Sequence, residues 1–285
     1  MGVLSFALVF TLLRDLVGFF YLLPKSFILI GTLLATFIGS WMASRGPRIK
    51  KISLSVMPGQ EKLRGLKIAQ ISDLHVGPTI KAKYVKQVVE KTNSLSADLI
   101  ALTGDIADGK VDLYQEEALP LKDLSSSLGV FYVPGNHEYY WDIHGWLKVM
   151  ENLNMHILIN QNKLVQFQGE KLSVSGIPDL QSTHVKADLK ASLAGSEESK
   201  FKILLSHRPG IADQASQLGF HLQLSGHTHG GQFFPWTLVV KMVHKYAQGL
   251  HQLNQMWIYV NPGTGSWGPL LRLGTIPEIT LIELK

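Results

Sequence analysis

Five short apolar runs in this chain each stop at a turn that carries an oxygen or imidazole ligand. Leu66-Lys-Ile-Ala-Gln-Ile-Ser72 stops at Asp73-Leu-His75, and Asp98-Leu-Ile-Ala-Leu-Thr103 stops at Gly104-Asp105. Val130-Phe-Tyr-Val133 leads into Pro134-Gly-Asn-His-Glu138. Phe201-Lys-Ile-Leu-Leu205 leads into Ser206-His207, and His221-Leu-Gln-Leu224 into Ser225-Gly-His-Thr-His229. Short apolar runs bounded by glycine and proline predict interior strands. Helical patterns lie between several of them, at Lys81–Leu95, Leu113–Leu128, Trp141–Leu153 and Ile211–Leu218. Strands alternating with helices predict an α/β sheet, which gathers ligands at the carboxyl ends of its strands. The tail Ile276–Leu284 predicts a closing strand.

The turn residues share one chemistry. Asp73, His75, Asp105, Asn136, His207, His227 and His229 offer the carboxylate, amide and imidazole donors that hard or borderline divalent cations take. The chain has no cysteine, which excludes thiolate zinc sites, iron–sulfur clusters and disulfides. These donors suffice for two cations and leave His137 over for proton transfer. One carboxylate can bridge two cations about 3.5–4 Å apart, and Asp105, midway through the series, is the candidate bridge. Manganese is the first expectation, and iron, zinc or cobalt suit the same donors.

With these strings in this order, Leu66 to Lys285 resembles the calcineurin-like metallophosphoesterase superfamily. That family's pattern is D-x-H, G-D-x-x-D, G-N-H-E/D, H and G-H-x-H. Gly226–Gln232, Tyr246–Leu250 and Tyr259–Gly265 resemble its membrane-associated bacterial branch of YaeI- and YkuE-like phosphoesterases. The resemblance implies a metallophosphoesterase-type β-sandwich flanked by helices. It implies Asp73, His75 and His229 at a first metal, Asn136, His207 and His227 at a second, and Asp105 between them. His137 is then the general acid, with Asp108 or Glu138 on its other ring nitrogen. The implied reaction is hydrolysis of a phosphodiester or pyrophosphate bond by a hydroxide shared between two metals. One departure stands out. Gly109 follows Asp108 where some phosphoprotein phosphatases carry a phosphate-contacting arginine. A general phosphomonoesterase is the alternative within the enzyme class. A catalytically silent, membrane-tethered binding module is the alternative outside it, and the filled ligand positions argue against it.

The amino-terminal region reads differently. Val3–Leu23 and Phe27–Met42 are strongly apolar and predict a transmembrane helical hairpin over residues 1–44. Arg14 and Asp15 interrupt the first run. Neighbouring helical positions diverge, so the two are not expected to form an internal ion pair. One span with an interfacial helix would instead place both at the headgroups. No lysine or arginine precedes residue 14, so a cleavable signal peptide fits poorly. Arg45 to Lys67 carries seven basic residues against Glu61 alone, while 18 basic and 20 acidic residues follow from Ile68 onward. Residues 45–65 therefore predict a basic juxtamembrane linker, drawn to anionic lipid and favouring the cytoplasmic face of a bacterial inner membrane. The slightly acidic remainder gives no case for nucleic-acid binding.

The stretch after the last ligand string predicts a substrate wall. Phe233-Phe-Pro-Trp236, Leu238-Val-Val240 and Met242-Val243 form an apolar insertion, either core or a groove for acyl chains resting on the bilayer. Trp141, Trp146 and Trp267 can extend that surface. Arg208, directly after a ligand candidate, is either a phosphate contact or a surface or core-edge arginine before Pro209; with Phe233, Phe234 and Trp236 it makes up the expected substrate contacts. The expected partner is a phosphate-containing small molecule or lipid; the resemblance implies UDP-2,3-diacylglucosamine, cleaved by some members of the family, as one candidate, and it fits a tether and an apolar wall.

Overall fold

The computed structural model describes residues 1–18 and 24–285. Two helices open the chain, α1 (Gly2–Gly18) and α2 (Ser26–Ser44), followed by strand β1 (Arg48–Leu54). Then come β2 (Lys67–Ile71), α3 (Ala82–Asn93), β3 (Leu99–Thr103), α4 (Val111–Ala118), β4 (Val130–Val133), α5 (Asn136–Trp141), α6 (Ile143–Asn152) and β5 (His156–Ile157). The second half holds β6 (Gln161–Phe167), β7 (Glu170–Gly176), β8 (Phe201–Leu205), α7 (Ala212–Gln217) and β9 (Leu222–Ser225). It closes with α8 (Trp236–Val243), β10 (Gly249–Leu253), β11 (Met256–Val260) and β12 (Glu278–Leu284).

The strands form two six-stranded sheets, ordered β1-β12-β2-β3-β4-β5 and β10-β11-β9-β8-β7-β6. Strand alternation sends successive side chains to opposite faces. Ile68, Leu99, Ala101 and Phe131 therefore meet Val174, Ile203, Leu222 and Leu224 between the sheets. Ala69, Ile71, Ile100 and Leu102 point the other way, under Val85, Val88 and Trp146 of α3 and α6. Parallel pairing of β2, β3 and β4, and of β7, β8 and β9, brings their carboxyl ends to common edges.

Several expectations change in detail. The helix expected over Leu113–Leu128 breaks after Ala118 into a 3₁₀ turn over Leu119–Asp123, because Pro120 lacks the N–H a continuing helix needs. Trp146 is no surface residue: it is fully buried, and its indole N–H donates to the Gly109 carbonyl at 2.8 Å. Residues 45–65, expected as a linker, carry β1, which pairs in parallel with the whole of β12. Leu54 is buried and Ile52 packs on the inter-sheet core, while Lys50 and Lys51 stay exposed on a sheet edge, where charge discourages further pairing.

The two amino-terminal helices pack together, with Phe10 edge-on to Phe27 at 5.7 Å. The end of the first expected span, residues 19–23, lies outside the described residues. Among the described residues α2 alone is long and apolar enough to cross a membrane, with a mean hydropathy of 1.7. Arg14 and Asp15 do pair: the Arg14 Nε–H donates to Asp15 Oδ1 at 2.8 Å, the long arginine arm spanning what the backbone directions separate. Both helices also dock on the rest of the chain. Leu271 sits against Gly2 and Gly39, so closely that a Cβ at either would collide with it. The Arg272 N–H donates to the Gly39 carbonyl at 2.9 Å, and Phe6 packs edge-on to Phe233 at 5.9 Å.

Candidate metal centre

Each expected ligand string emerges from the carboxyl end of a strand, and the backbone there is forced into an uncommon shape. Asp73, His75, Asp105, His227 and His229 all have positive φ, between 50° and 70°. Such backbone is costly for residues with a Cβ, of order 1–3 kcal/mol each, and clusters at functional sites. Here it turns the side chains inward. Glycines make room: a Cβ on Gly104 would press on His207, on Gly135 against Asp105, and on Gly226 against Asp73.

Two groups of donors result. Asp73, His75 and His229 converge with ligand atoms within 4.8 Å of one another, and so do Asp105, His207 and His227; a third set at the same spacing, His75, Asp105 and His137, links the two. The Nε2 atoms of His75 and His229 lie 3.0 Å apart, with Asp73 Oδ1 3.3 Å from the latter. Asp105 Oδ2 lies 3.1 Å from His207 Nε2 and 4.0 Å from His75 Nε2, so this carboxylate stands between the groups. Asn136, the first residue of α5, stands beside the second group through Arg208, whose Nη2–H donates to Asn136 Oδ1 at 3.3 Å. Arg208 Nη1–H also donates to His227 Nε2 at 2.8 Å.

These donors suit divalent cations. His207 Nδ1 lies 2.8 Å from the Thr103 carbonyl, which fixes its proton there and leaves the Nε2 lone pair facing the Asp105 carboxylate. Nε2 and the carboxylate oxygen face each other at 3.1 Å, an arrangement that calls for a proton or a metal ion between them. Burial would lower the His207 imidazole, but Asp105 beside it pushes it up to about 10. Burial works against the Asp105 charge, and His207 and His75 outweigh it and hold the carboxyl well below the usual range. Burial, His207 and Arg208 push His227 down to about 2; burial, His75 and Arg272 hold His229 well below its ordinary value. A metal ion binds the neutral imidazole, the form His227 and His229 already hold, whereas His207 would exchange its proton for a cation.

His137 lies against the centre, its ring edge-on to His75 at 4.7 Å between centroids. Its backbone N–H donates to Asp105 Oδ1 at 2.8 Å, and its Nδ1 lies 2.9 Å from Asp108 Oδ1. Burial would lower His137, but Asp108 and Asp105 raise it above its ordinary value. Asp108, not Glu138, is thus the partner of this ring. Trp141 also donates to Asp108 Oδ1, at 2.9 Å. Glu138 is fully buried and accepts from the N–H groups of Gly135, Asp105, Ile106 and Ala107 at 2.7–3.1 Å. It ties the Asp105 loop to the start of α5.

Of the expected substrate contacts, Arg208 faces the second donor group, and Phe233 and Trp236 line a cavity that opens on His227 and His229. Phe234 is not among that lining and is 37% exposed. Two residues escaped sequence reasoning. Asp179 is buried and accepts from Arg208 Nε at 2.9 Å, aiming the guanidinium. Its signal was available: Gly176-Ile-Pro-Asp179 follows β7, which is parallel to β8, so it is one more strand-end turn. Arg272 is fully buried, and its guanidinium donates to the carbonyls of Pro262 and Gly265 and reaches His229 Nδ1 at 3.4 Å. No pattern marks it in the sequence. The glycine-rich loop Pro262–Gly268 donates from Thr264 and Gly265 to the Ser72 and Asp73 carbonyls at 2.7 and 3.0 Å.

Comparison with known proteins agrees with this geometry. The model of a family described as calcineurin-like phosphoesterase matches residues 66–231. A metallophosphoesterase of Helicobacter pylori is 34% identical over 270 residues, covering 91% of this chain and 71% of its own. The Danio rerio transmembrane protein with metallophosphoesterase domain is 32% identical over 270 residues, 90% of this chain. The chain spans 62% of the length of that protein and of its Bos taurus counterpart. The YkuE metallophosphoesterase of Bacillus subtilis is 31% identical over 230 residues, covering 78% of this chain and 79% of its own. Among solved structures, the Haemophilus influenzae NAD nucleotidase superposes with a TM-score of 0.51 at 16% identity, over 70% of this chain and 46% of that one. That last likeness is one of fold.

Proposed function

Because this chain belongs to the calcineurin-like phosphoesterase family, we propose that it is a membrane-anchored, two-metal hydrolase of phosphodiester or pyrophosphate bonds. The observation that carries the reading is the convergence of two donor groups on one carboxylate, Asp105. Asp73, His75 and His229 would hold one divalent cation, Asn136, His207 and His227 the other, and Asp105 both. Manganese is the first candidate. When bound, such a pair supplies Lewis acidity to phosphoryl oxygens and lowers the pKa of water. The chain's own residues do the rest. Asp108 on Nδ1 keeps His137 protonated and turns its Nε2–H outward, as donor to the leaving oxygen. Arg208, aimed by Asp179, pairs with a non-bridging phosphate oxygen.

The setting supports an amphiphilic substrate such as UDP-2,3-diacylglucosamine. Residues 1–44 would anchor the enzyme in a bacterial inner membrane. The basic residues from Arg45 to Lys67 would meet anionic lipid and hold the catalytic domain on the cytoplasmic face.

The test is hydrolysis by the detergent-purified chain of bis-p-nitrophenyl phosphate, p-nitrophenyl phosphate and UDP-2,3-diacylglucosamine, with Mn²⁺ and after chelation. Chelator-sensitive cleavage of the diester or the acylated nucleotide sugar, above the monoester, is the expected result. Preference for the monoester would move the chain to the phosphomonoesterase alternative. Bound metal with no turnover on any of the three would make it a binding module.

Arg208→Gln should lose one charge-assisted contact worth ~1.5–3 kcal/mol, roughly 10–150-fold in kcat/KM. Asp179→Asn, which leaves the arginine in place but unaimed, should show a milder form of the same KM-weighted loss. Steady-state kinetics on the diester checks both; an unchanged KM in each would remove Arg208 from the phosphate site.

A further inference from the structure

The helices that open the chain do more than attach to the domain. A cavity of about 410 Å³ runs from His227 and His229 to the amino end of α1. Its walls are Phe233, Trp236, Val240 and Trp267, and Met1, just before α1, stands at its far end. The α1 side is built into the wall rather than lying loosely on it. Trp236 donates its indole N–H to Ser5 Oγ at 3.1 Å, and Phe6 is buried against Phe233. Beyond the wall the surface is apolar. On α8, Leu238, Met242 and Val243 are 53%, 85% and 68% exposed, and on α1 Leu4 and Leu8 are 73% and 58% exposed. Bare apolar faces on adjoining helices mark a surface that meets lipid or a partner. Here they adjoin a helix of membrane-spanning length, which favours lipid.

The two ends of the cavity ask for different chemistry. The inner end offers the candidate metal ligands His227 and His229, with the Arg208 guanidinium 2.8 Å from His227 Nε2, which suit a phosphoryl group. The rest offers aromatic and aliphatic wall, which suits hydrocarbon. We propose that this cavity is a slot for a single hydrocarbon chain of a phosphate-bearing amphiphile, admitted sideways from the bilayer between α1 and α8. The amino end of α1 is then part of the substrate site. The proposal rests on the phosphohydrolase reading above and adds a substrate class and an entry route.

The test uses the full chain in lipid nanodiscs and a series of p-nitrophenyl alkyl phosphate diesters with methyl, butyl, hexyl and octyl chains. The readout is the slope of log kcat/KM against chain length, each variant referred to its own methyl ester. Burying a methylene is worth up to about fourfold in affinity, so the wild-type slope should be positive until the slot is full. Val240→Trp, which fills the slot, should flatten that slope. Met242→Trp, on the exposed side of the same helix, should keep it. A flat wild-type slope would overturn the proposal. So would an equal slope in Val240→Trp, since partitioning into the bilayer would then account for it. Failure of the phosphohydrolase reading would look different: no metal-dependent cleavage of even the methyl ester, which would remove the proposal with it. A second measurement avoids reliance on variant folding. An octyl phosphate with a terminal diazirine should label wild-type peptides covering Met1–Phe6 and Phe233–Val240. Labelling confined to other peptides would overturn the slot.

Discussion

Replacing Asp105 with asparagine is expected to leave the fold intact and the metal centre incomplete. The substitution is nearly isosteric. Its carbonyl oxygen can still accept from the His137 N–H, where Asp105 Oδ1 does so at 2.8 Å. Its amide can donate to the His207 Nε2 lone pair, which the carboxylate faces at 3.1 Å. Tertiary packing therefore loses little. The charge that two groups of donors share is lost, and an amide offers one good donor oxygen where the carboxylate offers two. Bound metal should fall below two ions per chain. Activity on a diester should fall by more than the ~10–100-fold typical of losing a residue that only supports a metal ligand. Metal content by elemental analysis and circular dichroism on the same sample separate the two effects. Two ions retained with activity within a few-fold of wild type would sink the bridging role.

The second large effect is expected at His137, with a different signature. His137→Ala removes a ring that touches the centre but leaves every candidate ligand in place. Loss of a general acid typically costs ~10²–10⁴-fold in rate. The loss should be steepest for alkoxide leaving groups and shallow for p-nitrophenolate, which departs without a proton. Both metal ions should remain. A diester series spanning leaving-group pKa, with metal analysis in parallel, reads both properties. A uniform loss across the series would instead mean that the variant has disturbed Asp105 through the His137 backbone contact.

The difference between these two residues is one of structure, since in the sequence both follow an apolar run and a glycine. Asp105 follows an apolar strand and a glycine that lets the chain turn with positive φ; His137 sits one residue inside a short helix. Strand ends are readable because alternation, length and a glycine or proline stop are local properties. The candidate ligand strings share that local signature, and the structure brings Asp73, His75, Asp105, His207, His227 and His229 together. Asp179 bears the same signature after β7 and was missed only because no resemblance drew attention to it. Arg272 was unreadable. A buried arginine held by carbonyls and set against a ligand candidate is defined by what surrounds it, and its partners lie up to 43 residues away.

The chain's own order of residues therefore determined the strand-end ligand chemistry, the α/β class and the apolar opening helices, since each depends on neighbours a few positions apart. Tertiary structure decided the rest. It chose Asp108 over Glu138 as the partner of His137, because Glu138 is taken up by four backbone N–H donors. It made β1 from a segment whose lysines suggested a free linker, because β12 needs a partner on its outer side and Leu54 fills the inter-sheet core. It set α1 against the apolar wall beside the candidate metal ligands, joining Phe6 to Phe233 across 227 positions that no local pattern connects. The physical reason is the same in each case. Periodicity reports which face of an element seeks burial, but the partner it buries against is chosen by packing over long sequence distances.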